Sequence, residues 1–220
     1  MHLFKEYAQE YIDKGISVIP DKFGGKLPLI KGWTEYNDRL PSKEEISNWN
    51  NSFNESNIAI CLGKASGIIA LDFDCDDQQI IDVIEDILPE SPVAKIGSKG
   101  WTRFFKYNNE STNKVTFNGK VVIEVLAENK KTTVPPSVHP NGSSYRWVDL
   151  ALLDHKHELP SLPPYLLAEI ELALSKHFPN SEAKGRKVIS GRNDAMSKYC
   201  SGLIANSTPI DEALQKMIKF

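Results

Sequence analysis

Two short β-branched runs near the middle of the chain constrain its fold most strongly. Asn57–Leu62 and Ile68–Phe73 are almost wholly apolar, and Gly63 and Gly67 stand between them. Runs of this length and composition, bounded by glycine, are typical of buried strands. We therefore predict two strands joined by a tight turn.

Strand and helix signals alternate as far as about residue 150. Further strands are predicted at 16–19, which Pro20 should stop, and at 93–96, 102–107, 121–126, 132–134 and 145–148. Helices are predicted at 3–14, 42–49, 80–88, 163–178, 193–205 and 209–219, the second of them opening on a capping box at Ser42. Because only helices follow residue 150, the fold class is α+β with a C-terminal helical appendage.

Composition and charge exclude several classes of protein. The chain has 220 residues, 40% of them hydrophobic, and a net charge of −3, which is ordinary for a globular protein. No apolar run is long enough for a transmembrane helix, and the N-terminus lacks the features of a signal peptide. The three scattered cysteines, Cys61, Cys75 and Cys200, fit a reducing cytoplasm. The charge excludes a polybasic nucleic-acid coat but not a local basic groove.

Two aspartates follow the second apolar run. Asp72 and Asp74 are two residues apart on a strand, so their carboxylates share one face. Two such charges repel each other unless a cation lies between them, and oxygen ligands favour Mg²⁺ or Mn²⁺. Glu124, inside another apolar run, would join this cluster if its strand lay beside the first. The alternative is an acidic strand end and a Glu124 side chain that points to water.

A basic and aromatic segment runs from Lys95 to Tyr107. Gly97 and Gly100 flank Ser98 and Lys99, and such a turn suits phosphate binding through backbone N–H groups and an ammonium. Interleaved basic and aromatic residues also suit nucleic-acid contact. The alternative is a hairpin with a charged turn and aromatic residues in the core.

A proline-rich segment, 134–147, holds Ser137 and His139 two residues apart. The prolines restrict the backbone, so these side chains can bind phosphate or orient a hydroxyl. No aspartate lies at a convincing triad position, which argues against a nucleophilic serine. The alternative is a turn in which His139 caps a backbone carbonyl.

These segments, in this order, resemble the N-terminal domain of bifunctional DNA primase/polymerases of the archaeo-eukaryotic primase superfamily. The likeness covers roughly residues 3–150 and is carried by Tyr7-Ala8, Val18–Pro20, Gly25-Lys26, Pro28, Gly32-Trp33, Pro41-Ser42, Trp49, Asn57–Ala59, Leu71–Asp74, Pro135–Gly142 and Tyr145–Trp147. It implies a mixed sheet flanked by helices, with an RRM-like half. We expect a primase/polymerase catalytic domain at 1–160 and the helical appendage at 161–220.

The resemblance also implies a site. Asp72, Asp74 and Glu124 correspond to the catalytic ligands of two divalent ions, Mg²⁺ or Mn²⁺. The nucleotide motif corresponds to 98–103, where Thr102 stands in the place of the family's histidine. The nucleotide-binding candidates are Ser98, Lys99, Thr102, Arg103, Ser137 and His139, with Lys26 and Lys31 as weaker ones.

The implied function is template-directed nucleotidyl transfer, with template DNA and nucleoside triphosphates as partners. Helical periodicity continues to Phe220 without a cap, so we expect a fragment of a longer protein. The resemblance implies that this protein comes from a phage, plasmid or other mobile element and that a helicase region follows in the full-length protein. Two alternatives stay open. One is a catalytically weak or inactive nucleic-acid-binding or replication-initiation module, which Thr102 favours. The other is a metal-dependent nuclease in which His139 acts as base.

Overall fold

The computed structural model describes residues 2–73, 75–98 and 100–179. These residues form two units, which the chain enters more than once. The first contains Met1–Asp76, Glu90–Asn113 and Ile123–Ser161, and the second contains Asp77–Pro89, Lys114–Val122 and the described chain from Leu162.

The described residues form a mixed α+β structure. Its helices are α1 (Leu3–Asp13), α2 (Lys43–Ser52), α3 (Gln78–Glu85), α4 (Leu152–His155) and α5 (Leu166–His177), with 3₁₀ turns at Trp33–Asn37 and Lys156–Glu158. Its strands are β1 (Val18–Asp21), β2 (Asn57–Cys61), β3 (Ile68–Phe73), β4 (Ala94–Ile96), β5 (Trp101–Lys106), β6 (Asn113–Phe117), β7 (Lys120–Leu126), β8 (Lys131–Thr133) and β9 (Arg146–Trp147).

The first unit contains two antiparallel sheets. The smaller has the order β1-β2-β8, and the larger runs β7-β3-β5-β4-β9. One buried cluster joins α1, the smaller sheet and one face of the larger; its members include Phe4, Tyr11, Val18, Ile58, Ala70 and Phe104. The hydrophobic core of this unit therefore lies on the face of the larger sheet that carries Ala70 and Phe104.

The second unit contains α3, α5, and the hairpin formed by β6 and the start of β7. Its buried side chains include Ile80, Ile84, Leu166, Ile170 and Leu174, which recur at helical spacing on α3 and α5. Phe117 contacts Phe178 with ring centroids 5.4 Å apart.

Several local predictions are confirmed. The first helix ends one residue before its predicted end, and Gly15 follows with the positive φ of 65° typical of a helix terminus. The capping box is present, since Ser42 accepts from the Glu45 N–H and Glu45 accepts from the Ser42 N–H. The helix predicted at 163–178 is α5.

The prediction that Pro20 stops the first strand is wrong. Pro20 lies inside β1 and is paired with Ile58. Strand β1 is at the edge of its sheet, where a residue without an N–H removes no ladder hydrogen bond. The Pro20 carbonyl instead accepts from the Leu29 N–H.

The tight turn predicted between the two apolar runs is present, but the runs belong to different sheets. Strand β2 pairs with β1 and β8, whereas β3 pairs with β5 and β7. Only an isolated bridge between Gly63 and Ile68 joins the two strands. The short connection thus carries the chain from one sheet to the other.

Strand β6 is not predicted from the sequence because three of its five residues are polar, and its first two residues are exposed. The helices predicted at 193–205 and 209–219 lie outside the described residues, and the domain boundary at 160 stays a prediction. Among the described residues, no helix is both long and apolar enough to cross a membrane.

Candidate active site

A row of polar side chains crosses the larger sheet. On β3, Asp72 is paired in register with Glu124 of β7 on one side and with Thr102 of β5 on the other. Thr102 is in turn paired with Lys95 of β4. Residues directly opposite each other on antiparallel strands project from the same face. These four residues, Glu124, Asp72, Thr102 and Lys95, are called the polar row below.

The polar row begins where the hydrophobic core ends. Two residues earlier on β3, Ala70 is paired with Phe104 and with Leu126. Ala70 and Phe104 are fully buried in the core cluster, and Leu126 packs against it. Because strand residues two apart share a face, the apolar row and the polar row lie side by side on the same surface.

Asp72 is bonded to its neighbour across the strand. Thr102 Oγ1 donates a hydrogen bond of 2.6 Å to Asp72 Oδ1. Thr102 is buried, so this bond satisfies its hydroxyl and holds the carboxylate in one orientation.

Glu124 has a cationic neighbour of its own. Lys130 Nζ lies 2.9 Å from Glu124 Oε1, and both side chains are partly exposed. This ammonium compensates one of two carboxylates that face each other across adjacent strands, an arrangement that is otherwise unfavourable. The condition set by the sequence is therefore met: the strand of Glu124 lies beside that of Asp72.

Lys95 is the cation of the polar row, and it is buried, with 5% of its surface exposed. Its ammonium lies 4.7 Å from the centroid of the Tyr145 ring. Burial lowers the pKa of Lys95 to about 8, although the charge of Asp72 opposes this shift. Among the described residues, Lys95 Nζ forms no hydrogen bond and no ion pair.

Tyr145 is buried beside Lys95. Its hydroxyl is inaccessible to solvent and has no hydrogen-bond partner among the described residues. Burial, together with the negative charges of Asp72 and Asp21, raises the pKa of Tyr145 to about 12. The Tyr145 hydroxyl is therefore protonated, and its hydrogen has no acceptor among the described residues.

The polar row opens into a cleft, called the lysine cleft below. Its two adjoining parts, of about 440 and 130 Å³, share Lys26, Asp72, Lys95 and Tyr145. The larger part is also lined by Lys130, Lys131 and Thr133, and the smaller by Gly97, Ser98, Thr102 and His139. Four lysines around one cleft favour an anionic ligand.

The smaller sheet supplies a buried ion pair at the wall of the cleft. Lys131 Nζ donates to Asp21 Oδ2 over 2.6 Å, and Thr133 Oγ1 donates to the same oxygen over 3.0 Å. Asp21 is fully buried, and burial raises its pKa despite the charge of Lys131. The ammonium of Lys131 is therefore already paired with the Asp21 carboxylate.

The turn after β4 packs closely against the proline-rich segment. A Cβ atom on Gly97 would lie 2.8 Å from Tyr145 Cε1 and 3.2 Å from His139 Cδ2. The glycine is needed for this close approach. His139 Nδ1 is 2.8 Å from Asn141 Oδ1, and its ring lies 5.4 Å from the Tyr145 ring, centroid to centroid.

The structure brings together some of the sequence-predicted residues and separates others. Asp72, Ser98, Thr102, His139 and Lys26 line the lysine cleft, and Glu124 is in the polar row. Asp74 and Lys99 lie outside the described residues, and Lys31 is exposed.

Ser137 and Arg103 are not at the cleft. Ser137 is fully buried, where its hydroxyl accepts from the Ile58 N–H and donates to the Ile58 carbonyl. Arg103 is next to Thr102 on the strand and so projects from the other face, with its guanidinium 4.2 Å from the Trp101 ring centroid. Neither residue lines the lysine cleft, and their predicted roles in nucleotide binding stay predictions.

Four residues that line the cleft are not among the candidate site residues of the sequence analysis: Lys95, Tyr145, Lys130 and Lys131. Lys95 was visible as a lysine between Val93 and Ile96, in an otherwise apolar strand, which is a signal for a buried charge. Tyr145, Lys130 and Lys131 carried no comparable signal, because only tertiary contacts bring them to Asp72.

The donor set is compatible with divalent cations. Asp72 and Glu124 are adjacent carboxylates on one face of the sheet, and Asp72 lines the lysine cleft. Among the residues that the structure describes, which omit Asp74, there is no group of three or more acidic, histidine or cysteine side chains placed to hold a metal. A complete ligand set would need Asp74 and the release of Glu124 from Lys130.

Comparison with known proteins identifies the family. The family model described as bifunctional DNA primase/polymerase, N-terminal, matches residues 8–164. The match covers more than half of the chain, including both sheets and the polar row, so the chain belongs to this family. Membership associates it with DNA primase and DNA polymerase function. No curated protein matches the chain.

Proposed function

We propose that this domain is a template-directed nucleotidyltransferase that adds nucleotides to DNA. The observation that carries the proposal is the register of the larger sheet, which sets Glu124 beside Asp72, a residue that lines a cleft together with four lysines. Adjacent carboxylates and a basic cleft meet two different requirements of nucleotidyl transfer. The first suits metal ions at the reacting hydroxyl, and the second suits a polyphosphate.

Asp72, Asp74 and Glu124 are the proposed ligands of two divalent ions, Mg²⁺ or Mn²⁺. When bound, such ions supply acidification of the attacking hydroxyl and stabilisation of charge on the leaving pyrophosphate. Thr102 holds the Asp72 carboxylate by its hydrogen bond. Ser98, Thr102, His139 and Lys26 line the space where a nucleotide would lie, and Lys99 stays a further candidate. The protein contributes position and charge rather than a covalent step.

The ion pair between Lys130 and Glu124 supports a second candidate function. A carboxylate that is already neutralised by a lysine needs no metal ion, which fits a module that binds nucleic acid without catalysis. The presence of Thr102 in place of the family's histidine fits this reading too. A phage or plasmid context and a helicase region in a longer protein belong to both candidates as proposals.

Primer extension tests the proposal. A labelled DNA primer on a template is incubated with either metal ion and with ribo- or deoxynucleotides. We expect extension by the wild type and none by the Asp72→Ala, Asp74→Ala double variant. Glu55→Ala, which removes an exposed carboxylate remote in sequence from the acids of the site, is the control.

Three results would contradict the proposal in different ways. Absence of extension with equal DNA binding by both proteins would favour the binding module. Shortening of the labelled strand without triphosphate would favour the nuclease. Equal extension by wild type and double variant would show that the acids are not the catalytic ligands.

A further inference from the structure

We propose that Lys95 and Tyr145 together bind phosphate oxygens of the nucleoside triphosphate in the lysine cleft. This inference rests on the proposed function, because it names the phosphate-binding residues of that site. It is carried by the Lys95 ammonium, which forms no hydrogen bond among the described residues, and by the buried Tyr145 hydroxyl, which has no partner there. Both side chains line the same cleft as Asp72.

The first argument is the unmet hydrogen-bonding capacity of both side chains. The Lys95 ammonium has three N–H donors and, among the described residues, no acceptor. The Tyr145 hydroxyl is equally without a partner. Leaving a buried hydroxyl unsatisfied is costly, so the Tyr145 hydroxyl calls for an acceptor, and the neighbouring Lys95 ammonium can bind the same one.

The second argument is the charge balance of the cleft. Lys130 is paired with Glu124, and Lys131 is paired with Asp21. Lys95 and Lys26 form no ion pair among the described residues, and both line the cleft. A phosphate supplies acceptors only and negative charge, so it complements a donor-only pair.

The third argument is placement. Lys95 is in register with Thr102, which bonds to Asp72. Adjacent strands are about 4.8 Å apart, so the Lys95 backbone lies roughly 10 Å from that of Asp72 along the sheet. Phosphates held at Lys95 would therefore lie beside the carboxylate that the proposed function places at the reacting end of the nucleotide.

A purely structural role for Lys95 makes opposite predictions. The ammonium would then be held by the Tyr145 ring and the charge of Asp72 alone. Replacing it with methionine would remove a buried charge, leaving phosphate affinity unchanged and stability equal or higher.

Binding of inorganic tripolyphosphate, measured by calorimetry on the full chain, separates the two roles. We expect the wild type to bind, and Lys95→Met to lose about tenfold to a hundredfold in affinity, since a bond to a charged group is lost. Tyr145→Phe should lose roughly two- to tenfold, the value of a neutral donor. Lys64→Met, at an exposed lysine that does not line this cleft, is the matched control and should bind as the wild type does.

Wild-type protein that fails to bind tripolyphosphate would overturn the inference, as would Lys95→Met that binds within twofold of wild type. Thermal unfolding of each variant without ligand controls for folding. If Lys95→Met does not fold, the affinities of Tyr145→Phe and Lys95→Arg for tripolyphosphate test the inference instead. Unchanged affinity in Tyr145→Phe would then overturn the inference, and reduced affinity in Tyr145→Phe with a smaller loss in Lys95→Arg would support it.

The binding assay and the primer-extension assay can fail independently of each other, so the phosphate site and the proposed function are tested separately. The Asp72→Ala, Asp74→Ala double variant should bind tripolyphosphate while losing primer extension. Binding that depends on Lys95 in a protein without extension would refute the polymerase and leave the phosphate site standing. Extension with an unchanged nucleotide KM in Lys95→Met would refute the phosphate site and leave the polymerase standing.

Discussion

Glu124 is paired in register with Asp72 across two antiparallel strands, and of the two only Glu124 forms an ion pair among the described residues. Asp72 instead accepts a hydrogen bond from Thr102. The two carboxylates therefore differ in how they are held. Asp72 is oriented by a neutral donor, whereas the charge of Glu124 is compensated by a lysine that a metal ion would have to displace.

Replacing Lys130 with methionine should raise the affinity of the protein for Mn²⁺. The competing ammonium is removed from Glu124, and a partly exposed ion pair is worth about 0–1 kcal/mol, so the gain should be roughly fivefold or less with little change in stability. Mn²⁺ titration followed by electron paramagnetic resonance measures it. Lys120→Met, at an exposed lysine where β7 begins, is the control. Weaker Mn²⁺ binding in Lys130→Met would show that Lys130 supports the site instead of competing for it.

Replacing Gly97 with alanine should destabilise the protein and weaken nucleotide binding. The new Cβ would lie 2.8 Å from Tyr145 Cε1, so the ring must move. Overpacking of this kind costs about 1–3 kcal/mol. Urea unfolding measures the loss. Gly25→Ala is the control, because its Cβ would meet only ordinary contacts at 3.4 Å and beyond. Equal stability of the two variants would mean that the turn relaxes freely.

Replacing Lys131 with methionine should be the most damaging of these changes. It leaves the Asp21 carboxylate fully buried without its cation, and breaking such a pair costs about 3–5 kcal/mol. The Asp21→Asn, Lys131→Met double variant should recover part of that loss.

The damage in Lys131→Met should also depend on pH. Without Lys131, the pKa of Asp21 rises further above its ordinary value, because Lys131 is the charge that lowers it. The folded state then retains a proton that the unfolded state loses, so stability falls as pH rises through the interval between the two pKa values. Unfolding measured between pH 4 and 8 tests this, and a loss independent of pH would contradict it.

Replacing Glu45 with alanine should reduce stability by about 1–2 kcal/mol, as expected for loss of a helix cap. Glu45 accepts from the Ser42 N–H, from the Tyr36 hydroxyl and from Arg39. Glu44→Ala, at the preceding exposed residue in the first turn of the same helix, is the control. Equal unfolding free energies of the two variants would refute this role of Glu45.

The contribution of Glu45 should be lost in acid. Hydrogen bonds from Arg39, above all, hold the pKa of Glu45 well below its ordinary value of 4.5. A carboxylate with a lowered folded pKa stabilises the protein above the unfolded pKa, and the benefit declines as pH falls below it. The difference between wild type and Glu45→Ala should therefore shrink below about pH 4.5.

Much of the local structure could be predicted from the sequence, because its signals lie within a few residues of one another. The capping box at Ser42, the first helix and the strands β2 and β3 follow from spacing and composition. The alternation of a strand likewise placed Asp72 and Phe73 on opposite faces before any partner was known. The family resemblance pointed to Glu124 as the next acid of the site.

What tertiary structure alone decided is which strands are neighbours, and in which register. The order β7-β3-β5-β4 sets Glu124, Asp72, Thr102 and Lys95 in one row. No local period encodes that order, because pairing between distant segments depends on which apolar faces are buried together. The same packing brings the Lys95 ammonium to within 4.7 Å of the Tyr145 ring centroid in the cleft, so the chemistry of the cleft emerges only once the two sheets have packed.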